Sequence, residues 1–315
     1  MSNSNAEVFR VGLDGNGGLA AAADSAKARW THYRLEEDSA EWLAAQRRLA
    51  EDIAEALVIG NARPRATILG GGLLVVLRGV NHNPGAEPED MVSMRAWVEA
   101  DRIVTVSPRR VMAVEDVRAQ LQAGDGPVSA GEILAAITGR LVERMRPIVD
   151  GLGDTVDQLH EQLLDRGPNG LQRELSELRH VIVQLRRHMA PQRDAIEQLQ
   201  RVSENLLAGP VRAELHHIAD RQIRYVEDLD SVRERATVLQ DEIDNSVQSR
   251  LNHNIYVLSV VAAVFLPLGL LTGLLGINVG GMPGIESPYA FWIVVALLLA
   301  IAVGEILFLR RRRML

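Results

Sequence analysis

Residues 256–313 read YVLSVVAAVFLPLGLLTGLLGINVGGMPGIESPYAFWIVVALLLAIAVGEILFLRRRR, and they set the architecture of the whole chain. The first apolar run, Tyr256 to Leu275, has no charged residue over 20 residues. At about 1.5 Å of rise per residue, a helix of this length spans the ~30 Å hydrocarbon core of a bilayer. The second run, Tyr289 to Leu309, contains one carboxylate, Glu305. The link between the runs is too short to be a domain, so the pattern predicts a helical hairpin that crosses a membrane.

Charge predicts the orientation of this hairpin. The second run is followed directly by Arg310, Arg311, Arg312 and Arg313. Cationic residues next to a span tend to stay in the cytoplasm, whereas the link has no Lys or Arg and suits the translocated side. We therefore expect both termini to be cytoplasmic. The chain has no cysteine, which fits a reducing compartment and excludes disulfides and thiolate metal sites.

The overall charge narrows the class of partner. The formal net charge is −7 even with the four terminal arginines counted. An acidic cytoplasmic part argues against nucleic acid, because nucleic-acid binding requires a basic surface. Acidic surface charge raises the local concentration of cations, although it also serves ordinary solubility. The composition is therefore compatible with a cation pathway and does not by itself require one.

Three parts are predicted along the chain. Residues 1–150 are expected to form a cytoplasmic α/β domain, because strand-like runs between Arg65 and Thr105 surround three glycines and then an acidic turn, which favours a small mixed sheet. Residues 151–254 show apolar positions at steps of three and four, typical of a helical stalk. Residues 255–315 contain the hairpin, with spans 255–275 and 289–309. No helix breaker separates the stalk from the first span.

The first span carries a stripe of polar, small and apolar residues at steps of three and four. Two helices cannot enclose a water-filled path, so a conducting protein needs several subunits around an axis, each offering one helix. The same stripe contains a GxxxG pattern, which is also typical of tight helix packing. One helix can line a pore with one edge and pack tightly against its neighbours with the adjacent one. The stripe consists of Asn252, Ile255, Ser259, Ala262, Leu266, Gly269 and Gly273, with Leu258 beside it.

Two stretches carry a family resemblance. The run PLGLLTGLLGIN at 267–278, with the short loop, the second span and the basic tail, resembles the CorA superfamily of divalent-cation transporters. The signature of that family is Gly-Met-Asn, whereas this chain has Gly276, Ile277 and Asn278, which resembles the ZntB branch, the zinc transporters. The stretch RGVNHNPGAEPEDMVSMR at 78–95 resembles that branch too.

The resemblance implies a CorA-like homopentameric funnel in the bacterial inner membrane, with an α/β cytoplasmic domain, a long helical stalk and two transmembrane helices per subunit. It implies that Gly276, Ile277 and Asn278 form the ion-selectivity signature, with a ring of Asn278 amide oxygens that holds a hydrated divalent ion loosely. An isolated Gly-x-Asn pattern is otherwise typical of a helix C-cap. The preference for zinc over magnesium is implied by resemblance alone, because isoleucine is no better a zinc ligand than methionine.

Several ionisable residues are further candidates. Glu286 in the outer loop is expected either to attract cations or to be a solvated loop charge. Glu305, inside a span, is a candidate proton carrier, with pairing to the nearby arginines favoured. The arginines at 310–313 are expected to anchor the chain to anionic lipid and to form a basic collar. His216 and Asp220, four residues apart on a helix, form a candidate metal-binding pair, with a solvent-facing role the commoner outcome.

These observations predict transmembrane transport of zinc ions, with proton coupling open, by a pore that the first membrane helix lines. The expected partners are zinc and other divalent cations, protons, further copies of the chain and the lipid bilayer, with no cofactor besides the transported ion. Two alternatives remain: a passive magnesium or cobalt channel, and a non-conducting membrane-anchored scaffold. An enzyme is not expected, because the sequence contains no nucleophile–base set and no phosphate-binding loop.

Overall fold

The structure is a computed structural model. It divides into two compact units, one up to Asp241 and one from Glu242 onward, and each is described separately. The described residues are 7–21, 26–35, 42, 49–59, 63–202, 206–277 and 287–311, with the side chains of 308–310 left aside.

The first unit contains a six-stranded mixed sheet. The strands lie in the order β1-β2-β6-β5-β4-β3, and every neighbouring pair is antiparallel except β2 and β6, which are parallel. A mixed sheet in this region is what the sequence predicted, although β1 and β2 were not foreseen. The strands are β1 Glu7–Leu13, β2 Ala28–Arg34, β3 Arg65–Leu69, β4 Gly72–Gly79, β5 Val92–Val98 and β6 Arg102–Ser107.

The predicted hairpin around the glycines is the turn between β3 and β4. Gly70 and Gly71 both have positive φ, +56° and +81°. Two consecutive residues with positive φ are what a two-residue turn of type I′ needs, and glycine adopts them without strain. The turn therefore sets the register in which Leu69 faces Gly72.

Seven helices are described. Helix α6 begins in the first unit and ends in the second, without interruption, as the absence of a breaker predicted. The helices are α1 Glu51–Val58, α2 Met112–Ala123, α3 Ala130–Glu143, α4 Arg146–Arg166, α5 Leu171–Gln200, α6 Gly209–Gly276 and α7 Ala290–Arg311.

The sheet is covered on both faces because side chains alternate along each strand. From β4, Leu73 and Leu77 join the larger core, which contains residues of α2, α3, α5 and α6. Leu74 and Trp97 join a smaller core with Leu57 of α1. Every residue of β4 and β5 is buried, so these two strands form the centre of the unit.

The stalk helices bury the stripe that the spacing indicated. In α5 the buried positions run from Leu171 through Leu199, and in α6 from Val211 through Ile243. Gly167 has φ of +76° immediately after α4 and separates it from α5. Apolar stripes on neighbouring helices are buried against each other in this way whenever their repeat follows the helical period.

The second unit contains the end of α6 and all of α7. Both have an apolar window long enough to cross a membrane, with mean hydropathy of 2.3 for α6 and 2.6 for α7. Neither window is buried within the chain. In water such exposed apolar surface would be strongly unfavourable, whereas lipid is its natural surrounding.

Candidate functional site

The predicted pore-lining residues lie on one face of α6. The helix is continuous from Gly209 to Gly276, so steps of about 100° per residue place Asn252 through Gly273 of the stripe within a sector of about 120°. All eight side-chain positions are exposed or half-exposed in the single chain. Pro267 falls on the other side of the helix. The face is thus free to meet a pore or a neighbouring subunit, and its role in lining a pore stays a prediction.

The hydroxyl groups in this part of α6 are satisfied by the helix itself. Ser259 Oγ donates to the Ile255 carbonyl at 2.8 Å, and Thr272 Oγ1 donates to the Leu268 carbonyl at 2.9 Å. A hydroxyl that bonds within its own helix enters the hydrocarbon region without an unsatisfied donor. Ser259 can still turn an oxygen lone pair toward an ion that passes along the stripe.

At the beginning of the membrane segment, Asn252 provides an amide on the same face. Its Oδ1 accepts a hydrogen bond from Gln248 Nε2 at 3.1 Å, one turn earlier. Both side chains are exposed. This arrangement gives the stripe a polar end, where a hydrated cation can exchange water contacts for amide contacts.

The signature tripeptide is described only in part. Gly276 is the last residue of α6, and Ile277 directly after it is 51% exposed. Around Gly276 there is open space within 4 Å of an added Cβ. Asn278 and Glu286 lie outside the described residues, so their predicted roles as selectivity ring and outer-loop attraction stay predictions.

The ionisable groups of α7 are also partly described. Glu305 is half-buried, and its Oε2 is enclosed with no hydrogen-bond partner among the described residues. Arg311 ends α7 and is exposed. The side chain of Arg310, and Arg312 and Arg313 altogether, lie outside the described residues. Proton transfer by Glu305, its pairing with arginine, and the basic collar therefore stay predictions.

The candidate metal pair on α6 comes together. His216 Nε2 lies 3.9 Å from Asp220 Oδ2, and both side chains are largely exposed. The other ring nitrogen, His216 Nδ1, lies 3.2 Å from Gln200 Oε1. The described residues contain no group of three or more His, Cys, Asp or Glu side chains, so within this part of the chain the pair stands without a third ligand of these types. A metal role for it stays a prediction.

One feature that the sequence did not indicate holds α6 in the first unit. Arg186 of α5 donates to Asp230 of α6 through Nε at 2.5 Å and Nη2 at 3.2 Å. The same hydrogen bonds lower the pKa of the Asp230 carboxyl and raise the pKa of the Arg186 guanidinium. About two turns earlier on α6, Gln222 Nε2 donates to the Met189 carbonyl of α5 at 2.9 Å. No local signal predicts such pairs, because their members are more than 30 residues apart in sequence.

An α/β unit, a long helix whose apolar end has a face of small residues, and a second apolar helix are typical of an integral membrane protein, with a candidate ion path along α6. Residues 25–311 match the family model described as CorA-like Mg2+ transporter protein. The divalent cation transporter CmaX of Pseudomonas aeruginosa is 37% identical over 289 residues, which cover 91% of this chain and 87% of that protein. The zinc transport protein ZntB of Pectobacterium carotovorum is 33% identical and covers 96% of this chain and 94% of its own length.

The fold agrees with these relationships. The solved structure of full-length CmaX has a TM-score of 0.84 against this chain, with 34% sequence identity and 99% of each chain covered. The chain belongs to the CorA family of divalent-cation transporters. Its activity is therefore divalent-cation transport, and it is not an enzyme.

Proposed function

We propose that this protein carries zinc across the bacterial inner membrane through a homopentameric pore lined by α6, with both termini in the cytoplasm. The observation that carries the proposal is the face of α6 that starts at Asn252 and continues through Ser259 and Ala262 to Gly273. That face is polar at one end, small or apolar along its length, and exposed in the single chain.

The oligomer follows from the size of the membrane part. One chain supplies two spanning helices, which cannot surround a hydrated ion. A closed ring of subunits creates the path and turns one exposed face of each α6 toward it. The more uniformly apolar α7 then suits the lipid-facing position, because lipid contact needs no polar or small residues.

Zinc is favoured by the ZntB relatives, which are named as zinc transporters and align with nearly the whole chain. Magnesium is the second candidate, since the family model is described by magnesium transport and the CmaX relative by divalent cations in general. The chemistry of Ile277 does not separate the two ions, because its side chain has no ligand atom.

We further propose that zinc transport is coupled to the movement of protons through Glu305. A carboxyl group in a spanning helix can exchange a proton as the protein changes state, and such groups are rare unless they have a function. Glu305 meets this description, and its enclosed Oε2 accepts no hydrogen bond from a described residue. If Glu305 instead pairs permanently with arginine, Glu305→Gln will leave the pH dependence of transport unchanged.

The test is zinc entry into liposomes that contain the purified protein and a trapped zinc-sensitive dye, with and without an imposed proton gradient. Uptake that increases with the gradient supports proton-coupled transport. Zinc uptake that does not change with the gradient supports a passive path. Magnesium uptake without zinc uptake supports magnesium as the transported ion. The absence of flux for both ions contradicts the proposal and favours a scaffold.

The signature is tested in the same liposomes. Asn278→Ala should abolish most of the zinc flux, because each subunit loses the amide that is proposed to face the ion. Asn254→Ala is the matched control, since Asn254 is an exposed asparagine at the other end of the span and is not part of the signature. Equal losses in the two variants would contradict a special role for Asn278.

A further inference from the structure

A cavity of about 790 Å³ lies in the first unit, where β4 ends, β5 begins and α5 passes by. One wall is the loop at 81–91, which belongs to the stretch that resembles the ZntB branch in sequence. The ion path along α6 gives this loop no role. Its shape and chemistry therefore need a separate explanation.

The loop is held in place by its own polar residues. Asn81 is 3% exposed, and its Nδ2 donates to the Asp90 carbonyl at 3.0 Å. Asn81 Oδ1 accepts from the backbone N–H of Asn83 at 3.1 Å, and Asn83 Nδ2 donates to the Arg110 carbonyl at 3.0 Å. Asparagine side chains that close a loop in this way fix its backbone, so the wall is formed before any ligand arrives.

The floor of the cavity contains a buried cation beside a buried hydroxyl. Arg78 of β4 and Ser93 of β5 are direct cross-strand neighbours, so their side chains leave the sheet on the same face. Arg78 is 9% exposed and donates through Nη1 to the Met91 carbonyl at 3.1 Å. Ser93 is 2% exposed, and its Oγ has no hydrogen-bond partner among the described residues. A buried hydroxyl without a partner is costly, so this one calls for a partner, which a ligand that enters the cavity can supply once the side chain turns toward it.

Helix α5 contributes a second group of this kind. His188 lines the cavity, and its enclosed Nδ1 has no hydrogen-bond partner within the described part of the chain. Burial, together with the positive charges of Arg78 and Arg187, lowers the pKa of His188 to about 4. At neutral pH the ring is therefore uncharged and has one N–H to donate.

The distribution of charge selects the kind of ligand. Arg109 adds a second cation to the lining, whereas the acidic lining residues, Glu89 and Asp90, belong to the loop. Asp90 is exposed and Glu89 half-exposed, so the carboxylates lie toward solvent while Arg78 is buried. A bare metal ion does not suit this floor, because the buried positive charge of Arg78 would repel it and the described residues contain no group of three metal-ligating side chains.

We propose that this cavity binds a small phosphate-bearing metabolite, with the phosphate oxygens accepting hydrogen bonds from Ser93, His188 and Arg109 while Arg78 balances their charge. Guanidinium groups match phosphate geometry and remain charged at all physiological pH values. The volume exceeds that of inorganic phosphate alone and falls in the usual range for small-molecule sites, so the ligand extends beyond its phosphate.

The test titrates the full-length protein in detergent with inorganic phosphate by isothermal titration calorimetry, at constant ionic strength set by sodium chloride. Parallel titrations use acetate, as a carboxylate, and zinc chloride. We expect saturable phosphate binding with one site per chain. Ser93→Ala and Arg109→Gln should each weaken it roughly tenfold, the usual effect of losing a hydrogen bond to a charged group.

Arg173→Gln on α5 is the matched control, because Arg173 is 87% exposed and does not line the cavity, and this variant should bind phosphate normally. Four results would overturn the proposal. They are no saturable heat with phosphate, an equal loss in the control, equally tight binding of acetate, or saturable zinc binding that is lost in Asp90→Asn. The last would identify a cation site at the mouth of the cavity instead.

Discussion

The stability of the first unit should fall on acidification because of one buried histidine. His32 of β2 is 1% exposed, and its Nδ1 lies 2.9 Å from Thr105 Oγ1 on β6. Burial, with smaller effects of Arg34 and Arg118, lowers the pKa of His32 from 6.5 to about 3. Only the unfolded chain therefore takes up a proton at this histidine between those two pH values.

The sign and size follow from proton linkage. The contribution of His32 to the free energy of unfolding is fully present above pH 6.5 and is lost as the pH falls toward 3. In this window the unfolded state binds more protons than the folded state. Each pKa unit corresponds to about 1.4 kcal/mol. pH 5 lies about 1.5 units below the pKa of His32 in the unfolded chain, and protonation stabilises the unfolded state in proportion to this difference. The free energy of unfolding should therefore be about 2 kcal/mol lower at pH 5 than at pH 8 from His32 alone.

The assay is denaturant unfolding of the full-length protein in detergent at pH 8 and pH 5, followed by tryptophan fluorescence. Three of the four tryptophans, including Trp30 and Trp97, lie in the first unit and report on it. His32→Asn should lose about 2 kcal/mol less stability than the parent between the two pH values. His180→Asn, at an exposed position, should behave as the parent does. If parent and His32→Asn show the same pH dependence, the assignment to His32 is refuted.

Other substitutions test local packing and pairing in the first unit. Gly126→Ala should destabilise the unit by about 1–3 kcal/mol in the same denaturation assay, since its Cβ would lie 2.7 Å from the backbone nitrogen of Leu121. Gly151→Ala in α4 has open space around it and should stabilise by about 0.5–1 kcal/mol; a loss there would contradict the helix assignment. Arg186→Gln should cost at most about 1 kcal/mol, because both members of its pair with Asp230 are more than one-third exposed, and a much larger cost would mean that solvent screens the pair less than its exposure suggests.

The membrane hairpin was predictable because its signal is local. An uncharged apolar run as long as Tyr256 to Leu275 is uncommon in soluble proteins. The hairpin between β3 and β4 is likewise indicated locally, by the consecutive glycines at its turn, Gly70 and Gly71. The stalk was predictable for the same reason, since the repeat of its apolar positions matches the helical period.

Strand β2 was not predictable because several of its residues are polar or charged. In β2, Thr31 and His32 are buried although both are polar, and charged residues stand at Arg29 and Arg34. The burial is tolerated because Thr105 Oγ1 accepts a hydrogen bond from Trp30 and lies against the His32 ring. The parallel pairing of β2 with β6 joins residues more than 70 positions apart, and no local pattern indicates it.

The sequence predicts only the part of the candidate site that α6 itself supplies. The spacing from Asn252 to Gly273 determines which residues share a face of α6, because a helix repeats every 3.6 residues. The groups that contact the stripe belong to other copies of the chain or to the ion, and the spacing of residues in one chain does not position them. Similarly, the polar loop at 81–91 could be noticed from the sequence, but the cavity behind it depends on where α5 passes.

The most direct test of an ion path along α6 uses the absence of cysteine from the chain, which lets a single introduced thiol be modified alone. Ala262→Cys lies on the stripe, and Val264→Cys lies nearly opposite on the same helix. Zinc flux into liposomes is measured before and after a water-soluble, thiol-specific cationic reagent. We predict that the reagent abolishes most of the flux of Ala262→Cys and leaves that of Val264→Cys unchanged. Equal sensitivity of the two variants, or inhibition of Val264→Cys alone, would contradict a path along this face.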